Sequence, residues 1–67
     1  MELIDTPNPN AKKVETDIQD EEMVNNLNNI EGVSSVFLGP GFVTITKNES
    51  VGWDFITPEI INIFDKL

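Results

Sequence analysis

The sequence contains no cysteine, no histidine and no arginine. Without cysteine there is no disulfide framework. With neither cysteine nor histidine there is no thiolate or imidazole set for zinc or another soft metal. The usual nucleophile and base of acyl or thiol chemistry are missing too, so Ser34, Ser35 and Ser50 have no partner to activate them. Basic residues are scarce: four lysines stand against 12 acidic residues, for a net charge of −8. Phosphate recognition needs clustered Lys or Arg, so nucleic acid is excluded as a partner, and an anionic membrane surface is disfavoured on the same ground. No apolar run approaches the roughly 18 residues of a membrane helix, and the acidic start Met1-Glu2-Leu3-Ile4-Asp5 has no basic, then apolar, leader pattern. The expectation is a soluble, cytoplasmic protein whose field favours a basic protein surface.

At 67 residues the chain is one domain, 1–67. A domain of that size buries only about 60% of its unfolded surface. Stability must come from a core without staples.

Leu3-Ile4 is a short apolar run, followed by Asp5-Thr6-Pro7-Asn8-Pro9-Asn10. Each proline fixes its own φ and pushes the residue before it to extended backbone, so this stretch is a rigid turn between two strands. The return strand is Ala11 to Glu15 or Thr16, and Lys12 and Lys13 suit an exposed edge. Met23, Val24, Leu27 and Ile30 recur at helical spacing. Asp17 or Asp20 is placed to cap that helix, acidic residues fill its first turn, and Gly32 is placed to end it. Residues 33–38 and the alternating Phe42-Val43-Thr44-Ile45-Thr46-Lys47 flank Gly39-Pro40-Gly41 and predict a hairpin. Trp53, Ile56, Ile60, Ile63, Phe64 and Leu67 form a closing helical stripe. That helix begins either near Trp53 or at Pro58 with Thr57 as its cap.

The predicted fold is therefore α+β: a two-layer domain with a small antiparallel sheet, order β-β-α-β-β-α, and two helices on one face. The expected core is Ile4, Val14, Met23, Leu27, Ile30, Val36, Leu38, Val43, Ile45, Trp53, Ile56, Ile60, Ile63 and Phe64.

Few groups carry chemistry. Glu15, Asp17, Asp20, Glu21 and Glu22 lack the spacing of a calcium loop and suit a solvated helix start, with weak divalent-cation binding the alternative. Lys12, Lys13, Lys47 and Lys66 have no glycine-rich phosphate loop beside them. Gly39-Pro40-Gly41 is a hairpin turn or a ligand loop. Trp53 is core or a binding anchor. Thr6, Pro7, Asn8, Pro9 and Asn10 are the candidate partner-binding residues: the stretch is either a turn that sets strand pairing or a preorganised recognition loop. No catalytic residue, metal ligand or cofactor is expected.

Asp5-Thr6-Pro7-Asn8-Pro9-Asn10, the run of residues 30–47, and Trp53, Pro58 and the closing apolar helix together resemble the N-terminal domain of Nfu/NifU-type iron–sulfur scaffold proteins. The chain departs from that family between residues 11 and 22, which are fewer here. The family's cluster-binding Cys-x-x-Cys motif belongs to a separate C-terminal domain, and no such motif is in this sequence. The resemblance implies a stand-alone, shortened copy of the domain. The missing His and Cys and the small volume lead to the expectation of no enzymatic activity, and the chain is expected to be a monomer. It implies contact with an iron–sulfur scaffold, carrier or recipient protein during cluster assembly or delivery. Two other readings stay open: a protein-interaction module unrelated to clusters, and weak iron binding through carboxylates.

Overall fold

The computed structural model describes residues 2–66. Its elements are β1 (Ile4–Asp5), β2 (Ala11–Glu15), α1 (Glu21–Asn28), β3 (Val33–Gly39), β4 (Phe42–Lys47) and α2 (Trp53–Asp65), the expected β-β-α-β-β-α order. The strands form one antiparallel sheet in the order β1-β2-β4-β3. β4 is central because its alternation suits both neighbours. Val43 and Ile45 point inward and are fully buried, while Thr44 and Thr46 point to the other face. Met23 and Leu27 of α1 and Ile56 and Ile60 of α2 pack with Val14, Val43 and Ile45 in one buried cluster. Both helices therefore cover the same sheet face. Each such side chain contributes about 1.5–3 kcal/mol by leaving water, which is the main stabilising term available without cross-links.

Asp20 is the N-cap of α1: its Oδ1 accepts from the Glu22 N–H at 3.0 Å. Glu21 and Glu22 then sit at the positive end of the helix dipole. The β3–β4 hairpin turns on Pro40 and Gly41. Proline followed by a glycine at φ +80° is the residue order of a type II turn.

Three sequence expectations need correction. Lys12 and Lys13 are not on an edge, because the two-residue β1 pairs outside β2, with Ile4 opposite Lys13 and Asp5 opposite Lys12. Ile4 is not core. That register puts it on the face of Lys13, opposite to Val14, and its neighbour Leu3 packs against the cluster instead. Helix α1 ends at Asn28 rather than at Gly32. The Asn29 amide is shared between Asn25 O at 3.1 Å and Asn26 O at 3.2 Å, and the Ile30 amide turns to Leu27 O, three residues back, tightening the last turn among asparagines that are poor helix formers. Helix α2 takes the earlier of its two possible starts, with Gly52 as N-cap and Pro58 inside the helix, so Thr57 caps nothing. Leu67, the last member of the predicted stripe, lies outside the described residues, as does Met1.

Gly39 lies under the Phe42 ring, and a Cβ there would run into the far end of that ring and force it to shift. Gly39→Ala is therefore expected to destabilise the domain by about 1–3 kcal/mol through overpacking. Phe42→Ala in the same chain should recover part of that loss in urea unfolding. Equal stability of Gly39→Ala and the parent would show that the Phe42 ring swings aside freely.

Candidate functional site

Residues 6–10 are an Asx-type turn locked from inside and from outside. Inside, the Asn8 side chain accepts from the Asn10 N–H at 2.9 Å, and the Ala11 N–H donates to Asn8 O at 3.0 Å. The Thr6 hydroxyl donates to Ala11 O at 2.8 Å, has Asn8 O as a second acceptor at 3.0 Å, and accepts from the Asn8 N–H at 3.2 Å. Pro7 and Pro9 remove two more backbone degrees of freedom. Little conformational entropy is then left for the turn to lose on binding.

Outside, two residues far along the chain weld the turn to the scaffold. Trp53, the first residue of α2, donates its indole N–H to Pro9 O at 3.0 Å. Lys47, the last residue of β4, donates its backbone N–H to Asn10 O at 2.8 Å and its ammonium to Asn10 Oδ1 at 3.0 Å and Asn48 O at 3.3 Å. Lys47 is only 9% exposed, so its charge rests on these neutral oxygens. An ion removed from water in this way is costly when a partner is lost.

Between the turn and Trp53 lies an open groove of about 400 Å³. Its walls are Pro7, Pro9 and the Trp53 indole, with Lys12 at one side. The Lys12 ammonium stands 5.3 Å from the centre of the Trp53 ring and 3.3 Å from Asp5 Oδ1. Asp5 is 88% exposed, so this ion pair orients Lys12 more than it stabilises the fold. The groove thus offers proline and indole surface, one oriented cation and the exposed Asn8 residue.

The structure brings Thr6, Pro7, Asn8, Pro9 and Asn10 together as one turn and adds Trp53, Lys47 and Lys12, which sequence reasoning did not assign to it. Trp53 packs against the core, as one of its two readings expected, and its ring also faces the groove. A signal for Lys47 was present, since the alternation of Val43 and Ile45 places it on the buried face. Nothing local pointed to the Trp53–Pro9 contact, which spans 44 residues. The acidic residues 15–22 do not gather: Asp20 caps α1, and among the described residues no three acidic side chains are placed to hold a metal ion.

A family model described as "Scaffold protein Nfu/NifU N terminal" matches residues 12–67, leaving the 6–10 turn outside the matched stretch. A mitochondrial NFU1 iron–sulfur cluster scaffold homolog of Homo sapiens is 40% identical over 73 positions, covering 84% of this chain and 29% of the relative. That alignment is longer than the whole 67-residue chain, so the relative carries residues this one lacks. Mitochondrial NifU-like protein 4 of Arabidopsis thaliana is 55% identical over 31 residues, 46% of this chain and 11% of the relative. The chain therefore spans less than a third of the length of these relatives. Among solved structures, a NifU-like protein from Saccharomyces cerevisiae superposes with a TM-score of 0.71 at 30% identity, covering 97% of this chain and 74% of that one. The Staphylococcus aureus protein SAV1430 superposes with a TM-score of 0.83 at 22% identity, covering 96% of this chain and 95% of that one, and shares the fold.

The weld between turn and scaffold makes a stability prediction. Asn10→Ala leaves the Lys47 ammonium with Asn48 O alone and is expected to cost about 1–3 kcal/mol. Asn10→Asp, which supplies a carboxylate at the same place, should recover that loss. Trp53→Phe keeps most of the packing and loses the bond to Pro9 O, and should speed hydrogen exchange at Asn10 and Ala11 while leaving Ile45 slow. A neutral Asn10→Ala would mean that water replaces the asparagine at no cost.

Proposed function

The chain belongs to the Nfu/NifU N-terminal family, and on that footing we propose that it is a non-catalytic binding module serving iron–sulfur cluster assembly or delivery. Its work is contact with a protein that carries, receives or builds the cluster. The cluster itself is outside its chemistry, since cluster ligation rests on thiolates and this sequence has none. The proposed contact is the 6–10 turn with the groove it shares with Trp53. The observation that carries this assignment is the bond from Trp53 Nε1 to Pro9 O, which holds a proline-rich turn beside the half-buried Trp53 ring and the Lys12 ammonium.

The module works as a monomer in this reading. The cytoplasm is its proposed setting, although the human and Arabidopsis relatives are described as mitochondrial. No helix among the described residues is long and apolar enough to cross a membrane. Iron binding through carboxylates is not favoured by the dispersed placement of the acidic residues. A protein-interaction role outside cluster metabolism predicts a different set of partners and is separated by the same experiment.

Affinity purification from the native cell should recover a cluster scaffold, carrier or recipient protein. Partners confined to other processes would overturn the cluster reading. Replacing Pro7 and Pro9 by Ala should cost about 0.4–1 kcal/mol of stability each, through the unfolded chain. The folded double variant should nevertheless bind the recovered partner about tenfold more weakly or worse, because the turn must be ordered on binding. Undiminished binding by that variant would remove the turn from the interface.

A further inference from the structure

We infer that the free edge of β3, with the adjoining face of α1, is a second docking groove, one that takes an extended basic segment of another protein as a fifth strand. It lies on the opposite side of the sheet order from the 6–10 turn and depends neither on that site nor on the iron–sulfur reading.

The sheet has two edges. β1 is two residues long and offers little to pair with, whereas β3 runs for seven, Val33–Gly39. The hydrogen-bond phase of the ladder says which of its groups are free. Gly41 O accepts from the Thr16 N–H at 3.0 Å, and the Lys47 N–H donates to Asn10 O at 2.8 Å, so both of these residues bond on the β2 side. Val43 and Ile45 lie between them in the same phase and bond β2 as well. Phe42, Thr44 and Thr46 are left to bond β3, through their partners Gly39, Phe37 and Ser35. Val36 and Leu38 therefore direct their N–H and C=O groups away from the sheet. No backbone or side-chain group among the described residues bonds to them.

Proteins usually blunt such an edge with lysine, proline or a bulge. Val33–Gly39 contains no charged residue and no proline, and its single register shift falls between Val33 and Ser35, away from the free groups. Beside the edge is a groove of about 470 Å³ lined by Glu21, Val24, Asn25, Val36 and Leu38. Val24, Val36 and Leu38 are half-buried and give it an apolar floor, and the exposed Glu21 stands at its lip. An added strand would pair its main chain with Val36 and Leu38 and lay alternate side chains over this floor.

Charge selects the occupant. The groove carries a carboxylate and no lysine, in a chain of net charge −8. A second copy would bring the same uncharged strand, with no cation for Glu21, and the same excess of negative charge. An extended segment that sets apolar residues over the floor and a lysine or arginine at the floor-facing position nearest Glu21 satisfies the backbone, the floor and the lip together.

The test is an amide-shift titration of the intact chain with an acetylated eight-residue peptide that carries valine and one lysine at the alternate positions facing the floor and threonine at the positions between them. The expected shifts concentrate at Val36, Phe37, Leu38 and Val24. The same peptide with glutamate for lysine, or with N-methyl groups on alternate backbone nitrogens, should bind at least about tenfold more weakly, since each loses one of the two recognition terms. Glu21→Lys, at an exposed helix position, should keep the parent spectrum elsewhere and weaken the lysine peptide about fivefold. Shifts away from β3, equal binding by the glutamate peptide, or equal binding by the methylated peptide would each overturn the inference. So would β3 amides that move with protein concentration alone, which would make a second copy the occupant.

Discussion

The domain depends on the burial of Met23, Leu27, Ile56 and Ile60 against Val14, Val43 and Ile45. No disulfide reinforces it, because the chain has no cysteine. Hydrophobic area is proportional to what can be covered, and 67 residues supply two helices, enough for one face of a four-stranded sheet. The other features follow from that limit. Thr44, Thr46 and Ser35 occupy the opposite face, as polar residues facing water should. Phe37, 60% exposed, and Phe42 stand 6.2 Å apart on that same face, where Phe42 closes over Gly39. A small core also leaves an edge strand uncovered and a turn that must be held by polar bonds.

Lys47 shows how the polar part is made. The alternation that buries Val43 and Ile45 carries on to the end of β4 and takes a lysine inward. Its ammonium then finds Asn10 and Asn48, and its backbone finds Asn10 again. The central strand is thereby tied to the N-terminal turn, and Trp53 ties the same turn to α2. Rigidity at residues 6–10 is a property of the whole fold, delivered by one buried cation and one indole. That explains why a short proline-rich segment outside the hydrophobic cluster can present a defined surface.

Much of this fold was legible in the sequence. The hairpin followed from the strand candidate at residues 33–38, the turn signal Gly39-Pro40-Gly41 and the alternation of residues 42–47, and the helices from the spacing of Met23 and Leu27 and of Ile56 and Ile60. The misreadings in the strands share a cause: each depended on which strand lies beside which. Lys12 and Lys13 look like edge residues until two residues of β1 pair outside them. Ile4 and Leu3 are indistinguishable by type, and only the register decides which one faces the core. The 6–10 turn was legible as rigid from its prolines and asparagines. Its partners were not, since Lys47 and Trp53 reach it across 37 and 44 residues. Family membership, in turn, was legible from motifs spread over most of the chain, and the family match to residues 12–67 agrees with it.

The central claim is that this domain acts by presenting the 6–10 turn to a protein engaged with iron–sulfur clusters. Site-specific photo-crosslinking in the native cell tests it most directly, with a photoreactive phenylalanine derivative in place of Asn8 and, as a control, in place of Glu49. The account predicts a discrete crosslink from position 8 to a cluster-carrying, cluster-receiving or cluster-building protein, and none to that protein from position 49. No crosslink from position 8 beyond the control, or one only to proteins without clusters, would contradict it.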